Sequence, residues 1–201
     1  MSRYSKNKII PAILAIVVII VAIAGLVGLA RLLFTGGSST SKAPEVNVAR
    51  EALLATEPDS SVTMIVRGPI VADENFRSYQ ISVSPSSRTI KTFNGYLDTV
   101  IDEDSRANNV SAYTEFVHAL DKANLTVGTQ FEGEANDLRG ICATGRITQF
   151  VIRRDNNPVQ TLWTSTCRGS RGSLRASVDQ LSQLFTRQIP DASSFISKAS
   201  L

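Results

Sequence analysis

Residues 147–163 have the sequence ITQFVIRRDNNPVQTLW. β-Branched and aromatic side chains fill both ends of this stretch, and Arg, Asp, Asn and Pro fill its middle. This pattern is typical of two antiparallel strands joined by a tight turn. We therefore predict a β-hairpin with strands over residues 147–152 and 159–163.

The two cysteines of the chain flank this hairpin. A four-residue turn over 153–156 would place Val159 opposite Phe150 and, by the same register, Cys167 opposite Cys142. That face of the hairpin would also carry Phe150, Ile152 and Trp163. A tighter turn at 156–157 would separate the cysteines, so this register depends on the assumed turn.

We predict that Cys142 and Cys167 form a disulfide, because they lie at the two ends of one hairpin. Two small buried thiols are the alternative. A zinc site is disfavoured, because two cysteines and the single distant His118 leave the ion short of ligands.

An Arg-rich segment, CRGSRGSLR over residues 167–175, follows the hairpin. We expect Ser173 to cap a helix that carries Leu174, Val178, Leu181 and Phe185 and ends at Pro190. Glycine N–H groups, a helix N-terminus and Arg side chains together favour an anionic ligand. The candidate anion-binding residues are Arg168, Gly169, Ser170, Arg171, Gly172, Ser173 and Arg175, with Arg153 and Arg154 at the hairpin tip.

The uneven charge of the chain allows a plainer interpretation of this segment. Residues 35–137 contain 8 Lys and Arg against 15 Asp and Glu, whereas residues 138–201 contain 9 against 3. The basic half then neutralises the acidic half within one fold.

The region before this hairpin shows the same order of elements. Alternating apolar residues predict strands at 62–66, 79–83 and 90–93, and a polar loop at 102–109 leads to a predicted helix over 110–120. We therefore predict an α+β fold in which helices cover one face of antiparallel β-hairpins. Hairpin–helix followed by hairpin–helix also raises the hypothesis of a ββα duplication.

The N-terminal region has the composition of a membrane anchor. Residues 9–30, IIPAILAIVVIIVAIAGLVGLA, form 22 residues without a charge. At ~1.5 Å per residue, such a helix crosses the ~30 Å core of a bilayer. A cleaved signal peptide is disfavoured because its apolar stretch is usually ~7–15 residues long. A buried soluble helix is disfavoured because this stretch lacks a polar face.

These features divide the chain into five parts. We predict a basic cytoplasmic tail (1–8), a single transmembrane helix (9–34), a Gly/Ser/Thr tether (35–43), an extracytoplasmic domain (44–190) and a C-terminal tail (191–201). Arg3, Lys6 and Lys8 precede the span and favour a cytoplasmic N-terminus, although Arg31 follows it. The lipid bilayer is the expected partner of residues 9–34.

The sequence gives no catalytic signature such as GxGxxG, GxxxxGK[ST], GxSxG or HExxH. His118 is expected to be a structural or solvated residue. The acidic residues of the 102–109 loop do not match a calcium-binding loop, because Arg106 and Ala107 occupy its fifth and sixth places.

We expect a non-catalytic, membrane-anchored structural or interaction module of the cell envelope, without a cofactor or metal and with a protein partner. The alternative is a module that binds an anion through the segment 168–175. A lipid headgroup or a phosphate polymer would suit it, and nucleic acid is not the expected ligand.

Overall fold

A computed structural model describes residues 47–170 and 172–199 of the chain. Four α-helices and six β-strands, with two short 3₁₀ turns, make up this part of the protein. The helices are α1 (Val48–Leu54), α2 (Val110–Lys122), α3 (Val178–Thr186) and α4 (Ala192–Lys198). The strands are β1 (Ser61–Arg67), β2 (Arg77–Val83), β3 (Ser87–Asn94), β4 (Thr99–Ala107), β5 (Ile147–Arg154) and β6 (Asn157–Ser165).

The strands form one antiparallel sheet in the order β4-β3-β2-β1-β5-β6. Alternate residues of β1, such as Met64, are fully buried in the main core. Met64 pairs with Phe150 on β5, and both pack in the cluster that includes Phe116 of α2 and Phe185 of α3. The four helices therefore contribute to a core on one face of the sheet.

The α+β class with antiparallel strands and covering helices is thus confirmed. The predicted anchor at 9–34, the tail before it and the tether after it lie outside the described residues. No helix within 47–170 and 172–199 is long and apolar enough to span a bilayer.

The loop predicted at 102–109 is wrong, because most of it belongs to β4. Its charged residues occupy an edge strand, where side chains stay in contact with solvent. Glu103 lies opposite Lys91 on β3 and pairs with it at 3.1 Å. A ββα order therefore occurs as β3–β4–α2 and again as β5–β6–α3, and the duplication itself stays a prediction.

The register predicted for the hairpin over residues 147–163 is wrong. The turn consists of Asp155 and Asn156 alone, both at left-handed φ values of 51° and 61°. Asp and Asn tolerate this conformation better than most residues, so the two-residue turn is feasible without glycine. Phe150 consequently pairs with Leu162 in the main core, and Trp163 projects from the opposite face.

The last two helices also differ from the predicted pattern. α3 begins at Val178, where the side chain of Ser177, not Ser173, accepts a hydrogen bond from Gln180. The segment expected to be a C-terminal tail contains α4, and Ala199 after it is fully buried. The core therefore extends beyond residue 190.

Connections of different length close the two ends of the sheet. At one end, here called the turn end, residues 84–86 and 155–156 join neighbouring strands. At the other, here called the loop end, the connections are residues 68–76, 95–98, 123–146 and 166–177. Long connections have enough chain to enclose space, so the loop end is where a site can form.

Candidate functional site

A cavity of 390 Å³ opens at the loop end. Its floor is formed by Arg67 at the end of β1 and by Ile147 and Gln149 of β5. Arg67 is opposite Ile147 in the sheet. Val66, the residue before Arg67, packs in the core beneath the helices, and side chains alternate between the two faces of a strand. The cavity therefore lies on the sheet face that the helices do not cover. This volume falls in the range of small-molecule sites.

The first wall of the cavity is the connection between β1 and β2. Gly68 and Pro69 end β1, and the backbone N–H of Ile70 donates a hydrogen bond to the carbonyl of Ala143 (2.8 Å). This bond ties the connection to the long loop that forms the second wall. The side chain of Ile70 lines the cavity and remains 46% exposed.

Two stacked aromatic rings support the first wall. The rings of Phe76 and Tyr96 lie 4.1 Å apart between their centroids. The Tyr96 hydroxyl donates to the carbonyl of Val71 (2.8 Å) and accepts from its N–H (3.1 Å). The preceding Gly95 has a φ of +71°, and a Cβ there would lie 2.9 Å from an Asp73 carboxylate oxygen. Glycine at this position therefore allows the two connections to meet.

The second wall carries an ion pair between Asp137 and Arg139. Arg139 Nε donates to Asp137 Oδ2 (2.8 Å), and the Arg139 backbone N–H donates to Asp137 Oδ1 (3.0 Å). These bonds from Arg139 lower the pKa of Asp137 to about 2. Asp137 is therefore ionised at neutral pH and committed to Arg139.

Arg67 differs from the other charged residues of the cavity. Its guanidinium makes no hydrogen bond or ion pair with any residue that the structure describes, and its Nε is buried. Gln149, beside it on the floor, likewise has no side-chain hydrogen bond to the described chain. A charged group and an amide therefore line the cavity without a partner in the described chain. The Nε of Arg67 is also shielded from water, and an unpaired buried donor of this kind is unusual.

The disulfide adjoins this cavity. The Sγ atoms of Cys142 and Cys167 are 2.12 Å apart, so the predicted disulfide is confirmed. The pairing does not come from the assumed strand register, because both cysteines lie outside β5 and β6. Arg146 instead extends the hairpin through its N–H bond to Thr166 Oγ1 (2.9 Å), which brings the flanking chain together.

A small apolar cluster surrounds the disulfide. Cys142, Ile147 and Trp163 form its buried part, and Leu138 and Ile141 pack against them from the second wall. Leu138, Ile141 and Ile147 also line the cavity. The bridge therefore fixes the loop that forms this wall.

The Arg-rich segment does not form a helix N-terminus. Arg168 and Gly169 are exposed, the carbonyl of Ser170 accepts from Ser165 Oγ (2.6 Å), and Arg171 lies outside the described residues. Arg175 is exposed and donates from Nη1 to the carbonyl of Gly172 (3.3 Å).

Gly172 and Ser173 have a structural role at the free edge of β6. Ser173 is fully buried, and its Oγ accepts the backbone N–H of Trp163 (3.0 Å). A Cβ at Gly172 would lie 2.2 Å from the Trp163 carbonyl oxygen. These residues therefore cover the strand, and the N–H of Ser173 donates to the Trp163 carbonyl (2.9 Å) and not to a ligand.

Arg153 and Arg154 lie at the turn end, remote from Arg168. The length of β6 separates the two places, roughly 26 Å at ~3.3 Å per residue. Arg153 Nη1 donates to Thr63 Oγ1 (3.1 Å), and Arg154 pairs with Glu57 at 3.5 Å. The structure therefore does not bring the nine candidate residues into one site.

Other polar residues singled out in the sequence form no cluster. His118 is exposed on α2, while Asp102 and Asp104 of β4 pair with Lys198 and Arg106. In the part of the chain that the structure describes, no three His, Cys, Asp or Glu residues are placed to hold a metal ion.

The cavity was not predicted from the sequence. Its residues come from five separate segments of the sequence (67–70, 76, 96, 137–141 and 147–149), so no local motif marks it. The available signal was Arg67, a charge directly followed by Gly68 and Pro69 at the end of an apolar strand.

No protein-family model matches this chain, and no similar sequence is found among the curated proteins. The functional argument therefore depends on the geometry of the loop end.

Proposed function

We propose that this protein is a membrane-anchored, extracytoplasmic interaction module of the cell envelope with no catalytic role. The observation that carries the proposal is the disulfide between Cys142 and Cys167. Disulfides persist outside the cytoplasm and are rare within it. The domain from residue 44 through α4 would then lie outside the cell membrane, with residues 1–8 in the cytoplasm.

The sequence before the described domain supports the anchor. Residues 9–30 carry no charge, and the expected anchor extends to residue 34. Arg3, Lys6 and Lys8 precede it, as expected for a cytoplasmic N-terminus. The tether at 35–43 would reach ~15–18 Å, so the domain would stay near the membrane surface.

Exposed apolar side chains at the loop end support an interaction role. Ile70 and Tyr96 are each 46% exposed, and Leu97 between β3 and β4 is 90% exposed. Apolar residues grouped at one end of a domain are typical of a contact surface. An envelope protein is the proposed partner.

Thiol labelling of intact cells tests the topology. A membrane-impermeant maleimide should label the full chain only after a reductant opens the disulfide. The matched control carries Cys142→Ser, Cys167→Ser and Ser5→Cys, and its single thiol in the cytoplasmic tail should react only after lysis. Unreduced wild-type thiols that react only after lysis would refute the extracytoplasmic location.

A second proposal is anion binding by the segment 168–175, favoured by the exposure of Arg168 and Arg175. Full chain carrying Arg168→Gln, Arg171→Gln and Arg175→Gln should lose salt-sensitive binding to phosphatidylglycerol vesicles while its melting temperature holds. The variant Arg153→Gln, Arg154→Gln should retain it, because these residues lie at the turn end. Equal binding by the triple variant would dispose of this proposal.

A further inference from the structure

We infer that the loop-end cavity binds a small amphipathic carboxylate, a ligand with an apolar body and one anionic group, and that Arg67 is the residue that recognises the anion. This site is separate from the Arg-rich segment. The inference holds on either side of a membrane, so failure of the topology proposal would not affect it.

The first step concerns the charge of Arg67. The Nε of Arg67 is buried and has no hydrogen-bond acceptor in the described chain, and an unpaired buried donor is unfavourable. Among the described residues, the carboxylate that shares the cavity is that of Asp137, and Arg139 already binds both its oxygens. An anion in the cavity would supply the missing partner.

A second arginine on the same sheet face provides a comparison. Arg153 of β5 donates to Thr63 Oγ1, so its guanidinium has a partner within the fold. Arg67 occupies a similar sheet position at the opposite end and has none in the described chain. The difference leaves the Arg67 guanidinium without a partner in the described chain and therefore able to pair with a ligand.

The second step concerns the apolar part of the ligand. Ile70, Phe76, Tyr96, Leu138 and Ile141 contribute to the cavity lining around Arg67. Inorganic phosphate would fill only a fraction of 390 Å³ and leave these side chains uncovered. A ligand that fills the space therefore needs an apolar body as well as a charge.

The third step concerns the geometry of recognition. A guanidinium presents parallel N–H donors that match the two oxygens of a carboxylate. The free amide of Gln149 lies on the same floor and offers a further donor. Ile70 and Tyr96 line the cavity and are each 46% exposed, so the cavity is open to solvent.

Equilibrium dialysis of the full chain in phosphatidylcholine nanodiscs tests the inference, with empty discs as the baseline. The probes are 4-phenylbutyrate, its neutral counterpart 4-phenylbutanamide, and inorganic phosphate. Wild type should bind 4-phenylbutyrate at least about tenfold more tightly than either of the others, since charged hydrogen bonds and apolar contact act together.

Matched variants assign the effect to Arg67. Arg67→Gln should weaken 4-phenylbutyrate binding about tenfold or more, whereas Arg153→Gln should leave it unchanged. Gln149→Glu provides an independent variant: its carboxylate would compensate Arg67 and block the probe without destabilising the fold. Retention of the disulfide and of the unfolding midpoint shows that each variant is folded.

Three results would overturn the inference. They are equal binding of the butyrate and the amide, equal binding of phosphate and the butyrate, and unchanged binding by either folded variant, Arg67→Gln or Gln149→Glu. Discs that contain phosphatidylglycerol test whether an anionic lipid competes for the site. Competition would also contradict a carboxylate ligand, because the anionic group of this lipid is a phosphodiester, whereas retained affinity supports a soluble carboxylate.

Discussion

The turn end and the loop end close the same six strands in different ways. At the turn end, Asn156 donates its N–H to the carbonyl of Asp59 (3.2 Å), and Arg154 pairs with Glu57. At the loop end, the long connection over 123–146 covers the open face of the sheet and encloses a cavity. Short connections satisfy their polar groups locally, whereas long ones can surround a ligand, and this protein separates the two tasks in space.

Of the changes predicted for the two ends, removal of the disulfide at the loop end should lower the free energy of unfolding most. The double variant Cys142→Ser, Cys167→Ser opens a closed loop of 26 residues and should lower the free energy of unfolding by up to about 3.5 kcal/mol. Urea unfolding of the full chain in vesicles, followed by the fluorescence of Trp163, measures the loss. A change below about 0.5 kcal/mol would show that the bridge does not constrain the loop end.

A methyl group at Gly172 should have the next largest effect. Its Cβ would collide with the Trp163 carbonyl, and its φ of +71° disfavours other residues, so Gly172→Ala should cost about 2 kcal/mol or more. Gly140→Ala is the matched control, because Gly140 has a φ of +76° but nothing within 4 Å of the added Cβ. Equal losses of unfolding free energy in the two variants would mean that backbone strain, not the contact with β6, explains the effect.

Removal of a tyrosine hydroxyl should change the free energy of unfolding in opposite directions at the two ends of the sheet. Tyr113, near Glu57 at the turn end, has a buried hydroxyl without a hydrogen-bond partner in the described chain. Burial, with a smaller contribution from Glu57, raises the pKa of Tyr113. Tyr113→Phe should therefore raise the free energy of unfolding by up to about 1 kcal/mol.

At the loop end, removal of the Tyr96 hydroxyl breaks its two hydrogen bonds with the backbone of Val71. Tyr96→Phe should lower the free energy of unfolding by about 1 kcal/mol. Urea titrations of both variants compare the signs directly. A loss in Tyr113→Phe as large as that in Tyr96→Phe would contradict the assignment of an unpartnered hydroxyl.

Periodicity was sufficient to predict much of the fold. β1, β2, β3 and α2 have strong apolar repeats, and each lies where the pattern indicated. β4 was missed because an edge strand needs no apolar alternation, and its pairing with β3 comes from the turn between them. The cap of α3 was misplaced because Ser173 and Ser177 are chemically equivalent in sequence, and only tertiary contacts distinguish them.

The site was less predictable than the fold. The disulfide was predicted correctly although the assumed register was wrong, because proximity at the base of a hairpin does not require direct pairing. The cavity could not be predicted, since Arg67, Tyr96, Asp137 and Gln149 become neighbours only through the sheet and its connections. Arg67 lacks a partner only as a consequence of how the chain folds, so the spacing of residues in the sequence could not predict it.

Hydrogen–deuterium exchange of the full chain in nanodiscs, with and without 4-phenylbutyrate, tests most directly the claim that the loop end is the binding end. We predict increased protection at residues 67–70 and 137–149 and no change at 84–86 and 153–156. Protection at the turn end, or equal protection along the whole sheet, would contradict the account.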